Sequence, residues 1–155
     1  AIAADADGIT WFFYSGSEEE ETKKEEYGAI TSPEIWGDLS KIATQISELS
    51  PVLLERTEKE GQPQITVLEG DQKNPLGEET VVGLVKRHEG RVYLIAVNTS
   101  PDPCAARFAF DERQTFDDFQ TLFDEQGETP TFIKDGCFEE SFEAFGVRVY
   151  SWNDN

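Results

Sequence analysis

Residues 78–103 read EETVVGLVKRHEGRVYLIAVNTSPDP, and the fold turns on this stretch. Two β-rich runs, 80–87 and 91–98, flank His88, Glu89 and Gly90, so the segment is expected to be an antiparallel hairpin. In the second run Val92, Leu94, Ala96 and Asn98 fall on one side, and Tyr93, Ile95 and Val97 on the other. Both sides are largely apolar. A strand of that kind is covered on two faces and belongs in the middle of a sheet.

Outward from the hairpin, the texture from residue 60 onward is short β-rich runs between turn signals. Strands are expected near 64–68, 105–110 and 119–123, with a short one in PTFIKDG (130–136). SFEAFGVRVYSW (141–152) closes the series, with Val147, Val149 and Ser151 alternating against Arg148, Tyr150 and Trp152. Six or seven short strands with no long helix among them describe an antiparallel β-sandwich over residues 58–155.

Residues 1–57 read differently: strand, loop, helix. Ile9 and Trp11 to Tyr14 form an apolar run between glycines, which predicts a buried strand at 9–14. SEEEETKKEEYG (17–28) reads as a solvated charged loop. A helix is expected over 33–54, capped by Ser32, with Pro33 in its first turn. Ile35, Leu39, Ile42, Ile46, Leu49 and Leu53 recur at steps of four and three and so share one face. Pro51 is expected to end or kink that helix near Ser50. The fold class is therefore mainly β: an antiparallel β-sandwich preceded by one strand and one amphipathic helix.

ADADGITWFFYSG (4–16), followed by the Trp36-x-x-Leu39 and Ile46-x-x-Leu49-x-Pro51-Val52-Leu53 pattern, resembles the last βα unit of the (β/α)8 barrel in glycoside hydrolases. GRVYLIAVNTSPDP (90–103) and FEAFGVRVYSW (142–152) resemble the small β-sandwich appended to such barrels. The resemblance implies the carboxy-terminal part of a glycoside-hydrolase-like protein. It places the other barrel strands, with their catalytic loops, outside this sequence, and it makes the catalytic barrel the expected partner.

The chain holds 32 acidic and 13 basic residues, a net charge of −19. Such a field repels phosphate backbones and anionic lipid surfaces, so neither nucleic acid nor membrane is expected as a partner. It suits an extracellular or periplasmic setting without naming one. Methionine is absent even at position 1, and AIAADADG lacks the basic start of a secretion signal. Cys104 and Cys137 form no metal-ligand pattern, and a disulfide or two free thiols both stay open.

Glycoside cleavage needs two convergent carboxyl groups. Many carboxylates are present, but none stands in a pattern that marks a pair, so no catalytic residue, metal or cofactor is expected. Asp5 and Asp7 begin something like a calcium loop, but the later ligands of that spacing are missing. His88, the single histidine, is expected to be a hairpin residue. Asn98-Thr99-Ser100 is a glycosylation sequon, although Asn98 more simply serves the turn after its strand. Trp11, Tyr14 and Trp152 are candidate carbohydrate contacts, because pyranose rings stack on aromatic faces. Three functions compete: a structural accessory sandwich on a catalytic barrel, an autonomous carbohydrate-binding module, and a stand-alone hydrolase. Self-association through 9–14 and the 33–54 helix is a further expectation, from their exposed apolar surface.

Overall fold

The computed structural model describes residues 2–4, 33–123, 130–133 and 136–154. The expected strand at 9–14, the loop at 17–28, Ser32 and the Asp5/Asp7 segment lie outside these described residues. The chain divides into two compact units, one of Ala1–Asp7 with Pro51–Asn155 and one of Gly8–Ser50.

The described part of the smaller unit is helical. Helix α1 (Pro33–Leu53) carries the predicted apolar stripe. Its amino-terminal half leaves Ile35, Trp36 and Ile42 exposed. The helix continues through Pro51 rather than ending near Ser50. Proline lacks the N–H that would bond the carbonyl four residues earlier. The Ser50 hydroxyl supplies that bond instead, donating to the Ser47 carbonyl at 2.9 Å.

The larger unit is the sandwich. Its strands are β1 (Gln64–Glu69), β2 (Val81–His88), β3 (Arg91–Asn98), β4 (Cys104–Ala109), β5 (Gln120–Leu122), β6 (Thr131–Ile133), β7 (Cys137–Phe142) and β8 (Val147–Asn153). They form two antiparallel sheets of four, in the orders β1-β4-β7-β6 and β2-β3-β8-β5. The β2–β3 hairpin pairs Val81 with Asn98 through His88 with Arg91. Its two-residue turn holds Glu89 and Gly90 at φ 48° and 75°, the conformation that matches strand twist. As the two-faced pattern requires, β3 is central, between β2 and β8.

The core is aromatic. Phe108 stacks on Phe138 with centroids 5.1 Å apart, and Trp152 is enclosed by Phe110, Phe116 and Phe119. Strand β7 is the element the sequence pattern hides. Its inward side reads Phe138, Glu140, Phe142, so a carboxylate interrupts the apolar alternation. Glu140 is nevertheless buried, because the Tyr150 hydroxyl and the Ser141 amide both donate to it.

The edges are closed in three ways. On β2, the Gln62 side chain stands in for a neighbouring strand. Its Oε1 accepts from the Val85 amide at 2.8 Å and its Nε2 donates to the Val85 carbonyl at 3.0 Å. On β1, the Gln72 amide donates to the Val67 carbonyl. The other two edges, β5 and β6, are three residues each, too short to template pairing.

Replacing Tyr150 by Phe removes a donor from a buried carboxylate. Urea unfolding of Tyr150→Phe is expected to show a loss of about 1–3 kcal/mol. Tyr150→Phe combined with Glu140→Leu should recover most of it. An unchanged stability in the single variant would show that Glu140 is satisfied by other means.

Candidate functional site

The two sheets have unlike outer faces. On the first sheet, outward residues pair as Ala105 with Ser141, Arg107 with Glu139, and Ala109 with Cys137. Arg107 Nε and Nη2 donate to Glu139 Oε1 at 2.9 and 2.6 Å. This face is polar and small, as a solvated antiparallel face should be. On the second sheet, Leu84, Ile95 and Val149 lie side by side in register, on the side away from the aromatic core. They are only 6%, 5% and 7% exposed. Lys86 and Ser151 on the same face are also buried. The second sheet is therefore covered on both sides around Leu84, Ile95 and Val149, while Val147 at the end of the same face is exposed. The short 310 turn Ile2–Ala4 lies against β2 and β3, and Val52 at the end of α1 is buried within the same unit.

The segment after α1 is fastened to β2 by a row of contacts. Lys86 Nζ donates to the Glu55 carbonyl at 2.8 Å. His88 Nδ1 lies 2.9 Å from Glu55 Oε1, and Arg87 reaches Glu58 at 3.3 Å and Asp154 at 3.3 Å. Gln62 completes the row on Val85. The exposed ion pairs are each worth little. The buried Lys86 bond and the double Gln62 bond are the stronger fastenings, since breaking them strands polar atoms away from water. His88 is thus a strand-end residue engaged with the linker.

The first sheet carries a hollow of about 470 Å³ lined by Leu68, Glu69, Thr131, Glu139 and Ser141 among others. Glu139 is committed to Arg107, the arrangement of a cross-strand structural pair. Among the described residues on this outer face no aromatic ring offers a stacking platform. Among the described residues, no group of three or more metal-ligating side chains converges. No described helix is long and apolar enough to cross a membrane.

Of the candidate carbohydrate contacts, Trp11 and Tyr14 lie outside the described residues. Trp152 is fully buried, with three phenylalanine rings around it, so no sugar can stack on it in this fold. Tyr150 is likewise buried, and its hydroxyl serves Glu140. The sequon residue Asn98 has no exposed surface. Its Nδ2 donates to the Asp102 and Glu143 carbonyls at 2.8 and 2.9 Å, and its Oδ1 accepts from the Ser100 amide. The Asx turn was legible in Asn98-Thr99-Ser100; the long-range bond to Glu143 was not, because nothing local marks it. Cys104 and Cys137 are both free thiols. Cys104 pairs with Phe142 while Cys137 pairs with Ala109, at opposite ends of the β4–β7 ladder. Five residues of strand separate them, roughly 17 Å at strand rise, far beyond disulfide reach. Burial pushes the Cys104 thiol up from its ordinary value.

Among the described residues, one carboxylate is clearly perturbed. Arg91 Nη1 donates to Asp118 Oδ2 at 2.6 Å, and Nη2 donates to the Asp118 carbonyl and the Ser151 hydroxyl. That hydrogen bond, helped by Gln120, holds the Asp118 carboxyl below the usual carboxylate range.

No protein-family model matches this sequence, and no curated protein matches it. Among solved structures, the fold is similar to part of a catalytic mutant of a GH42 beta-galactosidase from G. stearothermophilus, at 15% identity and a TM-score of 0.34. The similarity covers 77% of this chain and 13% of that one. A likeness of that size identifies neither a family nor an activity.

Two outcomes follow. Purified from a glycosylating secretory host, the folded chain is expected to carry no glycan at Asn98, checked by peptide mass spectrometry; glycan on soluble, cooperatively unfolding protein would contradict the burial of its amide. The Asp118 carboxylate is favoured in the folded state. Its contribution to stability is present above the unfolded carboxylate range and is lost as pH falls through the lower folded value. In Arg91→Gln, the Asp118 carboxyl carbon should titrate by NMR closer to the ordinary aspartate range.

Proposed function

We propose that this chain is a non-catalytic accessory β-sandwich of a glycoside-hydrolase-like protein, whose work is to support a catalytic barrel. The observation that carries the reading is the buried apolar outer face of the second sheet. A free-standing sandwich solvates its outer faces. Here Leu84, Ile95 and Val149 make one of them a second interior, and the chain leading into it is fastened along β2. A sandwich whose outer face is roofed by its own lead-in segments is suited to follow another module in the same chain. The resemblance of residues 5–14 and 36–54 to the last βα unit of a barrel supports a catalytic barrel as that module. The exposed apolar positions Ile35, Trp36 and Ile42 of α1 offer it a contact.

The hollow on the first sheet favours a second reading, a carbohydrate-binding module, since its carboxylates and hydroxyls are the groups that bond sugar hydroxyls. The two readings part on binding by the isolated chain. Calorimetric titration with a panel of oligosaccharides is expected to give no saturable heat. A dissociation constant tighter than about 1 mM for a defined saccharide, abolished by Glu139→Ala, would move the assignment to the binding module.

A further inference from the structure

The two ends of the sandwich are built by different chemistry. The end at the Glu89–Gly90 turn is ionic, with Arg87, His88 and Arg91 each engaged by a carboxylate. The other end joins the turn at 74–79, the loop at 98–103 and the loop at 143–147 through two buried asparagines. Asn74 Oδ1 accepts from the Leu76 and Glu78 amides, and its Nδ2 donates to Thr99 Oγ1 at 3.0 Å. Asn98 ties the other two loops by its bonds to the Asp102 and Glu143 carbonyls. The Phe145 amide donates to the Ser100 carbonyl, next in sequence to Thr99, so the three loops are knitted at adjacent residues.

Large apolar side chains project from this fixed backbone. Leu76, Phe145 and Val147 are 83%, 63% and 53% exposed. Phe145 sits at φ 53°, a left-handed conformation that strains a residue with a Cβ. Burial of the ring offsets none of that strain. Single exposed apolar residues are ordinary. Leu76 and Phe145 stand on adjoining loops held by buried amides, one of them strained, and with Val147 at the start of β8 they make a preorganised contact surface. The loops also carry the exposed carboxylates of Glu78, Asp102 and Glu143, while Glu79 beside them is paired with Lys73. We propose that this pole docks a protein surface whose apolar pocket is ringed by Lys and Arg. The acidic rim sets that choice. A second copy would bring the same acidic loops and another −19 charge. An anionic lipid surface is repelled for the same reason. The proposal does not depend on the accessory-domain reading.

The test is photo-crosslinking of the full chain in its native host, with a benzophenone-bearing phenylalanine placed at position 76 or 145 and, as a control, at the exposed Glu112 position. Adducts from 76 and 145 are expected to map by mass spectrometry to one protein segment rich in apolar residues and flanked by Lys or Arg. Phe145→Asn should lower the yield from position 76 about tenfold, the loss of one hot-spot contact. Asn adopts the left-handed backbone readily, so the melting temperature of that variant should be unchanged or higher. Yields at 76 and 145 no greater than at 112 would overturn the proposal, as would adducts only with a second copy or with lipid. Adducts to a protein without a catalytic module would support the docking pole and defeat the accessory-domain reading. A larger parent protein without pole adducts would do the reverse.

Discussion

Burial of the second sheet on both faces is the constraint from which the rest of this structure follows. Strands β3 and β8 present Leu94, Tyr150 and Trp152 to the aromatic core, and Ile95 and Val149 to the opposite side. A sheet of that kind cannot be left bare, since roughly 1.5–3 kcal/mol is gained for each large apolar side chain removed from water. Cover for the outer face must come from chain outside the two sheets. The short turn at Ile2–Ala4 and the segment held by Lys86 at the Glu55 carbonyl belong to that cover.

The same constraint explains where polar residues are spent. The basic side chains on and beside β2 are each taken up by carboxylates or carbonyls of neighbouring chain. Buried amides and carboxylates appear only with partners: Glu140 with Tyr150, Asn98 with three backbone groups, Asn74 with the turn it closes. A strongly acidic chain thereby keeps its excess charge at the surface, where the field disfavours anionic partners.

Much of the fold was legible because hydrophobic alternation is a local signal. The two-faced apolar run at 91–98 gave the central strand, and the turn residues between runs gave an antiparallel sandwich. What escaped depends on contacts distant in sequence. β7 was hidden because Glu140 occupies an inward position, acceptable only with Tyr150 ten residues on. The continuation of α1 through Pro51 was hidden because the rescuing bond comes from the Ser50 hydroxyl, whose rotamer no propensity describes. Trp152 was legible as an aromatic in a terminal strand, but its place inside a cage of Phe110, Phe116 and Phe119 is tertiary information. The site was less legible than the fold. Leu84 and Val149 join Ile95 only once the strand order β2-β3-β8 is known. Phe145 gives no local sign that its backbone is left-handed.

The sandwich and its lead-in are proposed to be part of a larger protein. The most direct measurement is the mass of the native gene product, by immunoblot of the source organism with antibody raised against residues 60–155. A band several tens of kilodaltons above 17.4 kDa is predicted, with the size of a catalytic barrel making up the difference. A single band at 17.4 kDa would contradict the account and leave the sandwich and its helix as a module in their own right.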